Sequence, residues 1–182
     1  DTSAGKYYTE MEHHWDEAYG YFTDAIDYPV NGTNRFWGKY ANKSYLEGNL
    51  GTATNISLAF RTGRAAISAG NITDALAQKA IIVAEVKHMV AGMAIHYLND
   101  AKGKIGTSSQ DAINHSMSEA LAFIFGIQFV TDSPDMSTAD IMLLVNQIEA
   151  NVAGFTNNVQ LINAAVDQIA TATGLTAYKD IL

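Results

Sequence analysis

The run from Thr73 to about Asp100 constrains the fold more than any other stretch. Ile81, Ile82, Val83, Val86, Met89, Val90, Met93 and Ile95 place apolar side chains nearly all round a helix of 3.6 residues per turn. Thr73-Asp74 supplies an opening and Lys102-Gly103-Lys104 an end. Such a segment is expected to be the central, most buried helix. No run of alternating apolar and polar residues competes with it as a strand. The expected fold is all-α, an antiparallel helical bundle forming one domain over residues 1–182.

The flanking stretches supply its neighbours. A first helix is expected from Thr2 or Ser3 to about Ile26, broken by Tyr28-Pro29-Val30-Asn31-Gly32. Residues 30 to about 52 hold four glycines among Phe36, Trp37, Tyr40 and Tyr45, which reads as a long aromatic loop packed on the bundle. A second helix follows from Thr52 or Thr54 to Ala69, ended at Gly70-Asn71. After the long helix, Ser108 to Asp111 resembles a capping box for a helix reaching about Val130, before Asp132-Ser133-Pro134. Ser137 to Asp140 caps another, Ile141 to Val152, and Val159 to Thr173 makes the last, stopped by Gly174. Tyr178 to Leu182 is expected to form a short docked turn.

Charge and composition remove several classes of function. A formal net charge of -8 leaves no clustered Lys and Arg for phosphate, so no nucleic acid is expected as a partner. With no cysteine, disulfides and thiolate metal sites are excluded. No run of about 18 uninterrupted apolar residues exists, so no transmembrane segment is expected. The first residue is Asp1, which is read as an exported, processed chain. Asn-x-Ser/Thr sequons stand at Asn31, Asn42, Asn55, Asn71 and Asn114; those at 55, 71 and 114 fall near helix starts, where Asn caps.

The densest polar cluster lies in Glu10-Met-Glu-His-His-Trp-Asp-Glu-Ala-Tyr-Gly-Tyr-Phe22. Residues three and four apart share a helix face, so His13, His14 and Glu17 converge, with Glu10 one turn earlier. Met11, Trp15, Ala18 and Phe22 form the expected core stripe. A shorter version recurs as His115-Ser-Met-Ser-Glu119. Imidazole with carboxylate suits zinc, iron, manganese or copper, so His13, His14, Glu17, His115 and Glu119 are the candidate ligands of a metal ion, iron or zinc. The competing reading is a hydrogen-bonded polar layer fixing helix register. Glu85, His88 and His96 also share a face, and with Glu10-x-x-His13 they match the ligand inventory of a di-iron bundle, though not its order along the chain. Arg61 and Arg64, one turn apart, either bind an anion or pair with the acidic first helix. No Gly-x-Ser-x-Gly elbow and no His-Glu-x-x-His helix occurs.

Met11 to Phe22, Ala59-Phe-Arg-Thr-Gly-Arg-Ala-Ala-Ile67 and Ile95-His-Tyr-Leu-Asn99 resemble an uncharacterised family of bacterial exported lipoproteins related to imelysins. His14 and Glu17 match the His and Glu of the imelysin Gly-x-His-x-x-Glu motif, with Glu12 standing where that motif has Gly. The resemblance implies helical bundles made by duplication, a periplasmic or outer-membrane setting, and a role in acquiring iron or another metal. It also implies that the chain is the C-terminal portion of a longer precursor, with a lipid anchor on that precursor. The partner expected is the upstream segment of the precursor or another copy of the chain, docked on an exposed apolar surface.

Three functions follow from these readings. The first is a non-enzymatic, exported metal-binding domain. The second is a structural or assembly module of the cell surface, whose His/Glu cluster only fixes register. The third is an imelysin-type metallopeptidase, which would need an open coordination position and a general base.

Overall fold

Nine α-helices and no strand are present among the described residues of a computed structural model, which are 5–30, 35–130 and 136–182. The expectation of an all-α helical bundle is met. Two units divide the chain within its longest helix, at residues 1–86 and 87–182.

In the first unit, α1 (Glu10–Phe22) is opened by Thr9, whose hydroxyl accepts from the Glu12 amide while the Glu12 side chain accepts from the Thr9 amide. The expected opening at Thr2 or Ser3 lies outside the described residues; the helix itself starts one turn before its histidines. Two short helices follow, α2 (Phe36–Ala41) and α3 (Ser44–Leu50), where an aromatic loop was expected. Helices this short have little stability of their own, and tertiary contacts hold them. The Tyr28 hydroxyl donates to the Gly38 carbonyl at 2.9 Å, Thr52 Oγ1 donates to the Ala41 carbonyl at 3.3 Å, and Leu46 is fully buried. Gly51 then turns the chain at φ +68° into α4 (Thr52–Ser68). The Glu47 carboxylate accepts from the amides of Ala53 and Thr54, satisfying the helix start and matching its positive end.

Helices α1 and α4 pack through Trp15 and Gly63. The indole Nε1 donates to the Phe60 carbonyl at 2.9 Å, and Phe60 meets Trp15, Tyr19 and Phe22 ring to ring. A Cβ on Gly63 would stand 2.2 Å from Cζ2 of the indole. The inner face of α1 is therefore Glu12, Trp15, Tyr19 and Phe22. The expected stripe holds at Trp15 and Phe22 but not at Met11, which is 49% exposed, or at Ala18.

Helix α5 (Ile72–Lys104) has 33 residues, about 50 Å at 1.5 Å per residue. It is not buried along its whole length as expected. Met89, Val90, Ala91, Met93, Ala94, Ile95 and Leu98 are buried in the second unit, whereas Ile72, Leu76, Ile81 and Val83 are exposed in the first. Among the described residues it is also the one helix long and apolar enough to cross a membrane by length and composition. Charges such as Glu85 and Lys87 interrupt its apolar run, which is why no such segment was expected from the sequence. Of its most apolar 18 residues, 44% are buried within the protein.

The second unit adds α6 (Gln110–Ile127), α7 (Thr138–Ala150), α8 (Val152–Phe155) and α9 (Val159–Thr173). Ser109 and Ser137 cap α6 and α7 through side-chain oxygens, and Gly174 ends α9 at φ +79°. The expected stop at Asp132-Ser133-Pro134 lies outside the described residues. Ile124, Ile127, Ile141, Ile148, Ile162 and Ile169 are fully buried. The closing turn docks as expected, with Asn99 Nδ2 donating to the carbonyls of Lys179 (2.7 Å) and Leu182 (3.2 Å).

The seat of Trp15 gives a direct test. Gly63→Ala is expected to lower unfolding stability by about 1–3 kcal/mol, because a rigid ring must shift. Gly20→Ala or Gly48→Ala, which meet open space on helices, should be neutral or gain up to about 1 kcal/mol. Urea midpoints of the three variants check this; a neutral Gly63→Ala would refute the packing described.

Candidate functional site

At 100° per residue, Glu10, His13, His14 and Glu17 stand on the side of α1 opposite Trp15 and Tyr19. All four side chains are at least partly solvent-exposed. Glu17 joins the two imidazoles, its Oε2 lying 3.1 Å from His14 Nδ1 and its Oε1 3.4 Å from His13 Nε2. His14 Nε2 is 3.7 Å from Glu10 Oε1. With a proton on Nδ1, His14 donates to the Glu17 carboxylate, which can only accept. The Glu17 carboxyl is held below the usual range, first by the hydrogen bond from His14 and then by the charge of His13. His13 also stacks on Tyr8, with ring centroids 5.3 Å apart. Glu17 uses a separate oxygen for each imidazole, so the histidines flank the carboxylate rather than surround a shared centre. Among the described residues no group of three or more His, Asp or Glu is assembled as a metal cluster.

His115 and Glu119 sit one turn apart on α6, in the second unit, with His115 exposed and Glu119 partly covered. The Ser118 hydroxyl donates to the His115 carbonyl at 2.8 Å. Glu85 falls in the first unit, where it accepts from Asn55 Nδ2 at 3.1 Å. His88 and His96 fall in the second, and the His96 ring lies 5.4 Å from that of Tyr97.

The inner side of α1 is polar too, and here the anticipated pairing is present for one arginine of two. Arg64 Nη1 donates to Glu12 Oε1 at 2.6 Å and Nε donates to Asp16 Oδ1 at 2.9 Å. Ser68 Oγ donates to the same Glu12 oxygen at 2.6 Å, while the Thr9 amide donates to the other at 2.7 Å. Arg61 instead donates to the Ser57 carbonyl of its own helix at 3.4 Å, and no carboxylate among the described residues pairs with it. Of the sequons, Asn71 caps as expected, accepting from the Asp74 amide at 3.2 Å; Asn55 and Asn114 lie inside helices.

One polar group went unnoticed in the sequence. Lys104 Nζ donates to Asp100 Oδ2 (2.6 Å) and to Ser116 Oγ (2.7 Å), and Ser116 Oγ lies 2.6 Å from the same Asp100 oxygen. The Asp100–Lys104 spacing of four on one helix was the available signal. Ser116 is fully buried, and its hydroxyl proton is directed at the Asp100 carboxylate. The group ties α5 to α6 within the second unit.

These features define an all-α protein with one exposed His/Glu face and one structural carboxylate–arginine network. Over residues 1–176 the chain matches the family described as Domain of unknown function (DUF4856), and it belongs to that family. No curated protein and no solved structure matches it.

The inner network predicts acid sensitivity. Hydrogen bonds from Ser68 and Thr9 and the charge of Arg64 hold the Glu12 carboxyl down to about 2, against the opposing pull of burial. A depressed folded-state value means the contribution is full above the ordinary 4.5 and is lost as pH falls toward about 2. Glu12→Gln should therefore be less stable at neutral pH and lose less further stability between pH 4.5 and 2 than the unmodified chain. Urea midpoints across that range check it; parallel pH curves would refute it.

Proposed function

We propose that this chain is a non-enzymatic helical domain of an exported bacterial protein related to imelysins, binding a transition-metal cation on the outer face of α1. The carrying observation is the 3.1 Å separation of His14 Nδ1 from Glu17 Oε2. Two ligand atoms, each about 2.0–2.2 Å from a zinc ion at angles from about 90° to tetrahedral, stand about 3 to 3.5 Å apart. The pair thus fits one ion with little movement once His14 gives up its Nδ1 proton. His13, 3.4 Å from the other oxygen of Glu17, is the nearest further imidazole. Imidazole with carboxylate accepts zinc or ferrous iron without selecting between them. The sequence resemblance in Met11–Phe22 supports the exported setting and the link to metal acquisition.

The remaining coordination positions face solvent, so the ion is exchangeable, as uptake or hand-over requires. Calorimetry with zinc and metal analysis after dialysis test the proposal. The unmodified chain should bind about one ion, with affinity falling as the medium is acidified, because an imidazolium cannot ligate. His14→Ala and Glu17→Ala should each weaken binding at least about tenfold. Equal and negligible zinc in all three proteins would defeat the proposal.

A second reading, a surface assembly module, is favoured by one specific feature. Ile72 (44% exposed), Leu76 (58%) and Val83 (50%) line one face of the first half of α5. Light scattering should then give a mass above the 19.6 kDa of one chain, unaffected by chelator and returned to one chain by Leu76→Glu. A 19.6 kDa particle at all concentrations would dismiss this reading.

A further inference from the structure

Beside the Trp15–Phe60 contact, the first unit has a solvent-open cavity of about 410 Å³. Its walls are Trp15, Tyr19, Ile26 and Phe60, with Arg61 and the Asp16–Arg64 pair completing the lining. That volume lies toward the lower end of the range for small-molecule sites, about 300–1,000 Å³. The walls are fixed from behind. Trp15 Nε1 is committed to the Phe60 carbonyl and the Tyr19 hydroxyl donates to the Ala25 carbonyl at 2.8 Å, so both rings present apolar surface while their polar atoms are satisfied.

The charges facing this space are unequal. Asp16 is neutralised by Arg64, and Arg64 is itself neutralised by Asp16 and Glu12. Among the described residues the Arg61 guanidinium bonds to the Ser57 carbonyl and pairs with no carboxylate. What sets Arg61 apart is its place: a guanidinium beside the aromatic walls of the cavity, with no carboxylate among the described residues to occupy it. Its planar fork matches a carboxylate bidentately.

We propose that this cavity is a binding site for a small amphipathic carboxylate, an aromatic or short aliphatic acid. The carboxylate is held by Arg61 and the apolar body rests against Trp15, Tyr19 and Phe60. A neutral ligand would leave the guanidinium uncompensated, and a polyanion would bring charge against Asp16. The site is separate from the His/Glu face of α1 and does not depend on metal.

The test is saturation-transfer NMR and calorimetry with indole-3-acetate and hexanoate, each beside its neutral amide, on the whole chain. Both acids should bind, the amides about tenfold more weakly or not at all, and added salt should weaken the acids alone. Arg61→Gln should lower acid affinity about tenfold or more and make acid and amide equal, while Arg61→Lys recovers part of the difference. Circular dichroism of the variants establishes that they are folded; Arg61 is exposed and its loss should not alter the spectrum. Acid and amide binding alike, Arg61→Gln binding as well as the unmodified chain, or no saturation transfer to either acid at millimolar concentration would each overturn the proposal.

Discussion

The first unit depends on the close approach of α1 to α4, and that approach depends on an indole resting on a glycine. Trp15 lies over Gly63 where any side chain would intrude, and its one polar atom reaches the Phe60 carbonyl. A helix carbonyl that also accepts from an indole does so without leaving its own ladder, since it has two lone pairs. The bond therefore sets the rotation of α1 about its axis as well as its distance from α4. Once the rotation is set, each residue of the opening cluster has its role assigned by angle. Glu12 and Asp16 turn inward to Arg64; Glu10, His13, His14 and Glu17 turn out to solvent.

That division explains what the sequence could and could not disclose. Helices with strong local signals were legible: the Asn158-capped, Gly174-stopped α9, and α7 with Ser137 and Asp140 reciprocally bonded. Pairing of an arginine of α4 with the acidic helix was legible from their opposite charges, but spacing did not say that Arg64 would reach it and Arg61 would not. The segment around Trp37 was not, because α2 and α3 are held by distant partners, the Tyr28 hydroxyl and Thr52, which leave no mark on local composition. The two halves of α5 were indistinguishable for a related reason. Apolarity predicts that a surface wants cover, not that the cover is present, and on α5 it is concentrated between Met89 and Ala101.

The candidate site was legible as a set of residues and illegible as a geometry. Four carboxylates surround His13 and His14 in sequence, and spacing alone could not say which would be spent on structure. Glu12 decides the matter. It completes the cap with Thr9 and accepts from both Arg64 and Ser68, so every lone pair facing the protein is engaged. A residue without a carboxylate there could neither close the capping box nor anchor an arginine. Glu12 takes nothing from the outer face, because it points the other way.

The same angular logic separates the two arginines of α4. Arg61 and Arg64 are three residues apart, a rotation about 60° short of a full turn. That offset brings Arg64 under α1, between Glu12 and Asp16, and leaves Arg61 beside the apolar wall formed by Tyr19 and Phe60. Arg64 consumes two carboxylates where one would neutralise it, so the supply on the inner face of α1 is exhausted before Arg61 is reached. Glu17, the next residue after Asp16, is turned outward and already committed to the two imidazoles. That Arg61 meets no carboxylate among the described residues is thus a consequence of how α1 is rotated. The bond that orients the histidines toward solvent also leaves a positive charge beside the aromatic cavity.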